Sequence, residues 1–128
     1  MSDFKNVTLI KHPVVNRDLT ILRDVNTNIS EFRGAIKRIA MILAYHALKE
    51  LPQKTFEVKT PIQKTTGYDI DQGVMVVPIL RAGLSLSDAL LQFIPDARVG
   101  HLGMERDETT HQPVDYYSNI PSGVEDDM

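Results

Sequence analysis

Apolar residues gather most densely at positions 74–80, where Val74, Met75, Val76, Val77, Pro78, Ile79 and Leu80 run without a polar interruption. A strand with one wet face alternates apolar and polar side chains, so this run predicts a strand buried on both faces and covered by helices on each side. It stops at Arg81, Ala82 and Gly83, and residues 85–94 then space their apolar positions at helical intervals. A cation and a small turn therefore stand where a buried strand becomes a helix. A helix start offers unpaired N–H groups and the positive end of the dipole, and Gly83 is expected to let a ligand approach the backbone, which together suit an anion. The same connection joins strand to helix in every α/β unit, where an arginine is equally a solvated surface charge.

The flanking pattern builds one α/β domain around that strand. Val7, Thr8, Leu9 and Ile10 form a β-prone run closed by Lys11, His12 and Pro13, and a short helix or turn follows through Val14, Val15, Leu19, Ile21 and Leu22. Asn28 with Glu31 three residues on has the form of a capping box. Beyond it Phe32, Ile36, Ile39, Leu43 and Ala47 share one helical face as far as about Leu48, and Pro52 ends the helix. Between positions 55 and 68, Phe56, Val58 and Ile62 alternate with polar residues around Pro61, predicting a two-stranded antiparallel ribbon with one wet face, outside the main sheet. Residues 97–103 form a second strand, parallel to the first across the helix. Both strands end on the same side, so Arg81 and Arg106, three residues past Gly103, are expected to converge where open α/β sheets take ligands. Glu105, Asp107 and Glu108 crowd Arg106 and could instead neutralise it in a surface ion pair. Residues 112–121 read as a further strand whose Tyr116 and Tyr117 are packing residues.

With 128 residues and 42% hydrophobic content the chain is long enough for one domain with a core. A net charge of −3, with both signs interspersed, argues against a broad nucleic-acid surface, so any phosphate binding has to be local. The absence of cysteine excludes disulfides and thiolate zinc sites, and His12, His46, His101 and His111 are too scattered to pair as metal ligands. No apolar run approaches membrane-spanning length and the start, residues 1–5, lacks a signal-peptide core, so a cytoplasmic location without membrane or nucleic-acid partners is expected.

Residues 77–84, followed by Gly103, Met104, Glu105, Arg106, Asp107 and Glu108 and by Pro113, Val114, Asp115, Tyr116 and Tyr117, resemble the uracil phosphoribosyltransferase family. The early His12-Pro13 and Phe32-Arg33 fit as well, so the likeness covers essentially the whole chain. It implies a type I phosphoribosyltransferase-like parallel sheet with flanking helices and an antiparallel ribbon. The implied activity is transfer of ribose 5-phosphate from 5-phosphoribosyl diphosphate to uracil, giving UMP and diphosphate in pyrimidine salvage. Such enzymes are usually homo-oligomers working with magnesium, and GTP regulates some of them. By resemblance Arg81, Ala82 and Gly83 belong to the loop that binds the donor's diphosphate, Arg106 sits on a mobile loop that also contacts the donor, and Leu80–Arg81 is a cis peptide. Glu105 stands where the family commonly has an aromatic residue.

The family continues past the position of Met128 with a buried strand, a loop that grips ribose 5-phosphate and a later loop that recognises uracil. The expectation is therefore that residues 1–128 are the amino-terminal part of such an enzyme, a single incomplete domain not catalytically competent alone, with no catalytic residue of its own. The missing strand would pair with residues 74–80 and leave that apolar edge open. The alternative is a naturally short, catalytically silent relative serving as a binding or assembly subunit.

Overall fold

The computed structural model describes residues 5–121; residues 1–4 and 122–128, including Gly123 and the acidic run at the end, lie outside the described residues. His12 and Pro13 open a helix and do not close a strand. The His12 Nδ1 accepts a hydrogen bond from the Val14 N–H (3.1 Å), and Pro13 occupies the first turn, where no donor is required, so α1 spans Pro13–Arg23. The strand expected at residues 7–10 is absent. Val7 and Leu9 are exposed there, and no described strand lies beside them to supply a ladder.

The capping box at Asn28 forms as the pattern foretells. The Glu31 N–H donates to Asn28 Oδ1 (2.9 Å) and the Asn28 N–H donates to Glu31 Oε2 (3.2 Å), launching α2, Ile29–Leu48. Its buried positions, however, are Ala35, Ala40 and Ala44, and the expected stripe of Phe32, Ile36, Ile39, Leu43 and Ala47 is not the face it buries. At about 100° per residue, Ala35 falls on one flank of that stripe and Ala40 and Ala44 on the other. The helix packs against two neighbours, α1 and α3, through small side chains that permit close approach. Ala40 and Ala44 meet Ala89 of α3 (Leu84–Phe93), with Met41 and Leu90 packed around them. Phe32 and Leu43 are left in the seams, 41% and 39% exposed.

A charge cluster ties α1 to α2. The Asp18 side chain, wholly buried, accepts from Arg38 Nε (2.8 Å) and Nη2 (2.9 Å) and from Arg17 Nε (3.1 Å). The Arg38 hydrogen bonds are the main reason its carboxyl titrates below the usual carboxylate range; burial opposes them, and Arg17 adds to them. The same pairing raises the Arg38 guanidinium further.

The ribbon is present as β1 (Gln53–Lys59) and β2 (Lys64–Ile70), antiparallel with Phe56 opposite Gly67. Both of its faces are wet, where one was expected, because the two strands pack chiefly on each other; only Val58 and Gly67 are even half-buried. Its tip closes through Thr60, whose N–H and hydroxyl both donate to the Gln63 carbonyl, at 3.0 and 2.6 Å.

The organising run carries the parallel pairing, but as β3 (Met75–Val76) and β4 (Ile79–Leu80), and its partner likewise splits into β5 (Arg98–Val99) and β6 (His101–Arg106). Pro78 is the cause, since it has no N–H to donate. In the reverse direction across the same pairing the bonds are unbroken: the N–H groups of Arg98, Gly100 and Leu102 donate to the carbonyls of Val74, Val76 and Pro78 at 2.9, 3.0 and 3.1 Å. β3 pairs β5 and β4 pairs β6 in parallel, and β7 (Pro113–Asn119) adds antiparallel to β6. The chain thus has the expected α/β class, with parallel and antiparallel pairing and flanking helices.

Burial on both faces of the run does not hold. Val76 and Pro78 are buried, but Ile79 is 48% exposed. Among the described residues only α3 packs on these strands to any extent; α2 packs on α3 and α1 on α2, so these helices follow one another outward and do not sandwich the sheet. Among the described residues β3 and β4 are each paired on one side only, which makes the run an open edge.

The Asp18–Arg38 pair gives a pH signature. A carboxyl with a lowered folded-state value stabilises the fold above its unfolded value and loses that contribution as pH falls through the folded value. The variant Asp18→Asn is therefore expected to be less stable than the parent at neutral pH, because a charged guanidinium loses its partner, and to converge with it below about pH 4. Urea midpoints of both proteins across pH 2.5–7 check this; a gap that persists undiminished at the acid end contradicts it.

Candidate functional site

At the carboxyl ends of β4 and β6 the backbone makes an unusually close turn. The Leu80–Arg81 peptide is cis. Gly83 then folds back so that its N–H donates to the Ile79 carbonyl at 2.8 Å, and the Leu84 N–H donates to the Arg81 carbonyl at 3.2 Å. A β-carbon at Gly83 would lie 2.7 Å from the Ile79 oxygen and 2.8 Å from its nitrogen. The glycine is thus required by the chain's own backbone, and the space a side chain would fill is already taken. The turn thus places its own demand on Gly83 beside the expected approach of a ligand, and two of the helix-start N–H groups, those of Gly83 and Leu84, are spent inside the turn. Gly83 has φ −70°, so steric room and not backbone handedness is what the position demands.

Facing this turn is the β6–β7 hairpin. Arg106 is the last residue of β6, opposite Pro113, and so lies on a paired strand, not on the mobile loop expected for it. The connecting residues 107–112 close on themselves. Asp107 Oδ1 accepts from the N–H groups of Thr109 (2.9 Å) and Thr110 (2.7 Å), the Asp107 N–H donates to the Gln112 carbonyl (2.9 Å), and the His111 N–H donates to the Asp107 carbonyl (2.9 Å). These donors, the Thr110 N–H foremost, hold the Asp107 carboxyl below its ordinary range. His111 takes φ 58°, the one left-handed non-glycine conformation among the described residues.

Turn and hairpin line an open cleft of about 560 Å³, with the apolar residues Ile79, Leu80, Leu86 and Met104 and the polar residues Arg106, Glu105 and His111 among its lining. Of the four residues expected to bind a donor, Arg106, Ala82 and Gly83 line it together, whereas Arg81 is not among its lining residues. Leu80 pairs with Gly103, after which the chain turns at Arg81 while β6 continues, through a register irregularity at Gly103/Met104, to Arg106. Both arginines are exposed, and neither forms an ion pair among the described residues, so the crowding carboxylates do not neutralise Arg106. Glu105 nonetheless contributes an anion to the same wall.

Gly103 and the tyrosines behave as packing. A β-carbon on Gly103 would lie 2.6 Å from the Tyr116 ring and 2.7 Å from Tyr117 Cβ, so the hairpin closes over a position that has no side chain. A larger cavity, about 640 Å³, lies between α2 and α3 around Phe32, Ile36 and Ala89. It lies in the seam between α2 and α3 and takes in none of the four residues expected to bind a donor, so the smaller cavity is the better candidate. Asp107 and His111 were missed in the sequence; the signal for the first was an aspartate two and three residues before threonines, an Asx-type turn.

The model of the uracil phosphoribosyltransferase family matches residues 9–128. A uracil phosphoribosyltransferase of Salinibacter ruber is 51% identical over 120 residues, covering 94% of this chain and 57% of the relative. One from Thermoanaerobacter sp. strain X514 is 42% identical over 122 residues, covering 94% and 58%. Among solved structures, the AQ2163 protein from Aquifex aeolicus superposes with a TM-score of 0.80 at 34% identity, over 89% of this chain and 55% of that one. The chain spans a little over half the length of the curated relatives it matches.

The Gly83 turn makes a steric prediction. Gly83→Ala forces the Ile79 or Gly83 backbone to move, and a loss of about 1–3 kcal/mol is expected. Gly73→Ala, where a β-carbon meets nothing within 4 Å, serves as the control and is expected to change little. Thermal melts of the two variants test the contrast, and equal melting temperatures would show that the turn has room to spare.

Proposed function

Because this chain belongs to the uracil phosphoribosyltransferase family, we propose that it supplies the part of such an enzyme that receives the diphosphate of 5-phosphoribosyl diphosphate, in the conversion of uracil and that donor to UMP and diphosphate. The observation that carries the reading is the joining of Arg106 with the Ala82–Gly83 turn on one cavity at the strand ends, within the family match. As the bond to the sugar breaks, the leaving diphosphate accumulates negative charge and the sugar carbon becomes positive. Fixed guanidinium groups on the diphosphate then stabilise the transition state more than the ground state. In this reading Arg106 holds the donor from the β6 side and Arg81 from the turn, while Gly83 keeps the turn tight enough for both to reach one ligand.

Magnesium goes with the family's chemistry. Among the described residues no three carboxylates or histidines gather to hold the ion. It would ride on the donor's diphosphate oxygens, as magnesium commonly does with phosphate substrates. The chain's own contribution is its arginines and its backbone. Uracil as acceptor, a homo-oligomeric assembly and a cytoplasmic location belong to the same proposal, as does the view of residues 1–128 as one unit that does not turn over alone.

Arg81→Ala and Arg106→Ala, made in a protein that includes the sequence following this segment in the family, are each expected to lose about 2–4 kcal/mol of transition-state stabilisation. UMP formation from uracil and donor measures this. An unchanged kcat/KM in both variants would remove the arginines from the donor site, and an ordinary enzymatic rate from the 128-residue chain itself would refute its incompleteness.

A further inference from the structure

His111 combines three features. Its backbone is held at φ 58°, a conformation that glycine adopts freely and that other residues adopt at a cost. The loop leaves it no alternative: its N–H is tied to the Asp107 carbonyl, and Asp107 is itself fixed by Thr109 and Thr110. Finally, the residue lines the same cavity as Arg106 and the Gly83 turn. A position whose backbone favours glycine carries instead a histidine, among the residues that line the cleft with Arg106. Left-handed non-glycine residues kept in place by surrounding hydrogen bonds concentrate at ligand sites.

We infer that His111 is a ligand-contacting residue of this cavity, donating a hydrogen bond to an oxygen of a phosphorylated ligand also held by Arg106, and that Asp107 is the positioning residue that presents it. This rests on reading the cavity as a site for a phosphorylated donor. The division of labour follows from the chemistry of the side chains. An arginine gives a permanent charge and a fixed fork of donors, while an imidazole gives one directed N–H and, in its protonated form, added charge.

The deciding variant is His111→Gly, because the backbone conformation suits glycine better than histidine. Calorimetric titration with inorganic diphosphate is run on the parent, His111→Gly, His111→Asn and Arg106→Ala. The expected result is that His111→Gly melts no lower than the parent yet binds diphosphate about tenfold more weakly, the scale of one hydrogen bond to a charged group. His111→Asn, which tolerates the same backbone and keeps a neutral donor, should recover part of the loss. Parent-like binding by His111→Gly alongside loss in Arg106→Ala overturns the role of His111 and leaves the donor-site reading intact. A parallel fall in melting temperature and affinity in His111→Gly also overturns it, in favour of a structural role. No diphosphate binding by the parent overturns both readings together.

Discussion

The lack of a side chain at Gly83 is the constraint on which the rest of the site depends. It allows the chain leaving β4 to double back within hydrogen-bonding distance of Ile79 and enter α3 at once. Without that fold-back, α3 could not lie against β3 and present Ala89 to α2 in its present position. The turn therefore sets two distances together: that between helix and sheet, and that between Ala82 and the facing hairpin. Packing and site geometry share one steric condition.

The helices build outward from this turn by small contacts. Alanine against alanine brings α2 and α3 close, and the buried carboxylate of Asp18 fixes the next layer by directed hydrogen bonds where apolar volume is scarce. Directed bonds hold one relative placement of two helices, whereas a smooth apolar face tolerates sliding. Large apolar groups such as Phe32 and Leu43 are left in grooves, and this explains why so many of them are partly exposed.

Much of this was legible in the chain. The Asn28–Glu31 box, the ribbon around Pro61 and the β–α–β order each rest on local chemistry that neighbouring residues cannot override. The face that α2 buries was not legible, because periodicity locates a stripe of large apolar residues and cannot tell whether a helix meets one neighbour or two. Residues 7–10 had the composition of a strand but no partner, and a ladder needs two chains. The motif residues Arg81, Ala82, Gly83 and Arg106 were readable from resemblance. Their arrangement was not, since Arg81 falls in the turn that leaves β4 while Arg106 ends β6, and the clamp on His111 comes from a hydrogen-bonded loop.

The ribbon has a different mechanical character from everything behind it. Its strands hold each other through seven paired positions, with Phe56 lying across Gly67 and a Lys64–Glu57 contact of 2.8 Å, and little else touches them. Seven residues of extended chain reach about 23 Å. Such a projection shares few contacts with the helix stack, so the bonds that hold the ribbon together are a different set from those that hold the stack to the turn at Gly83.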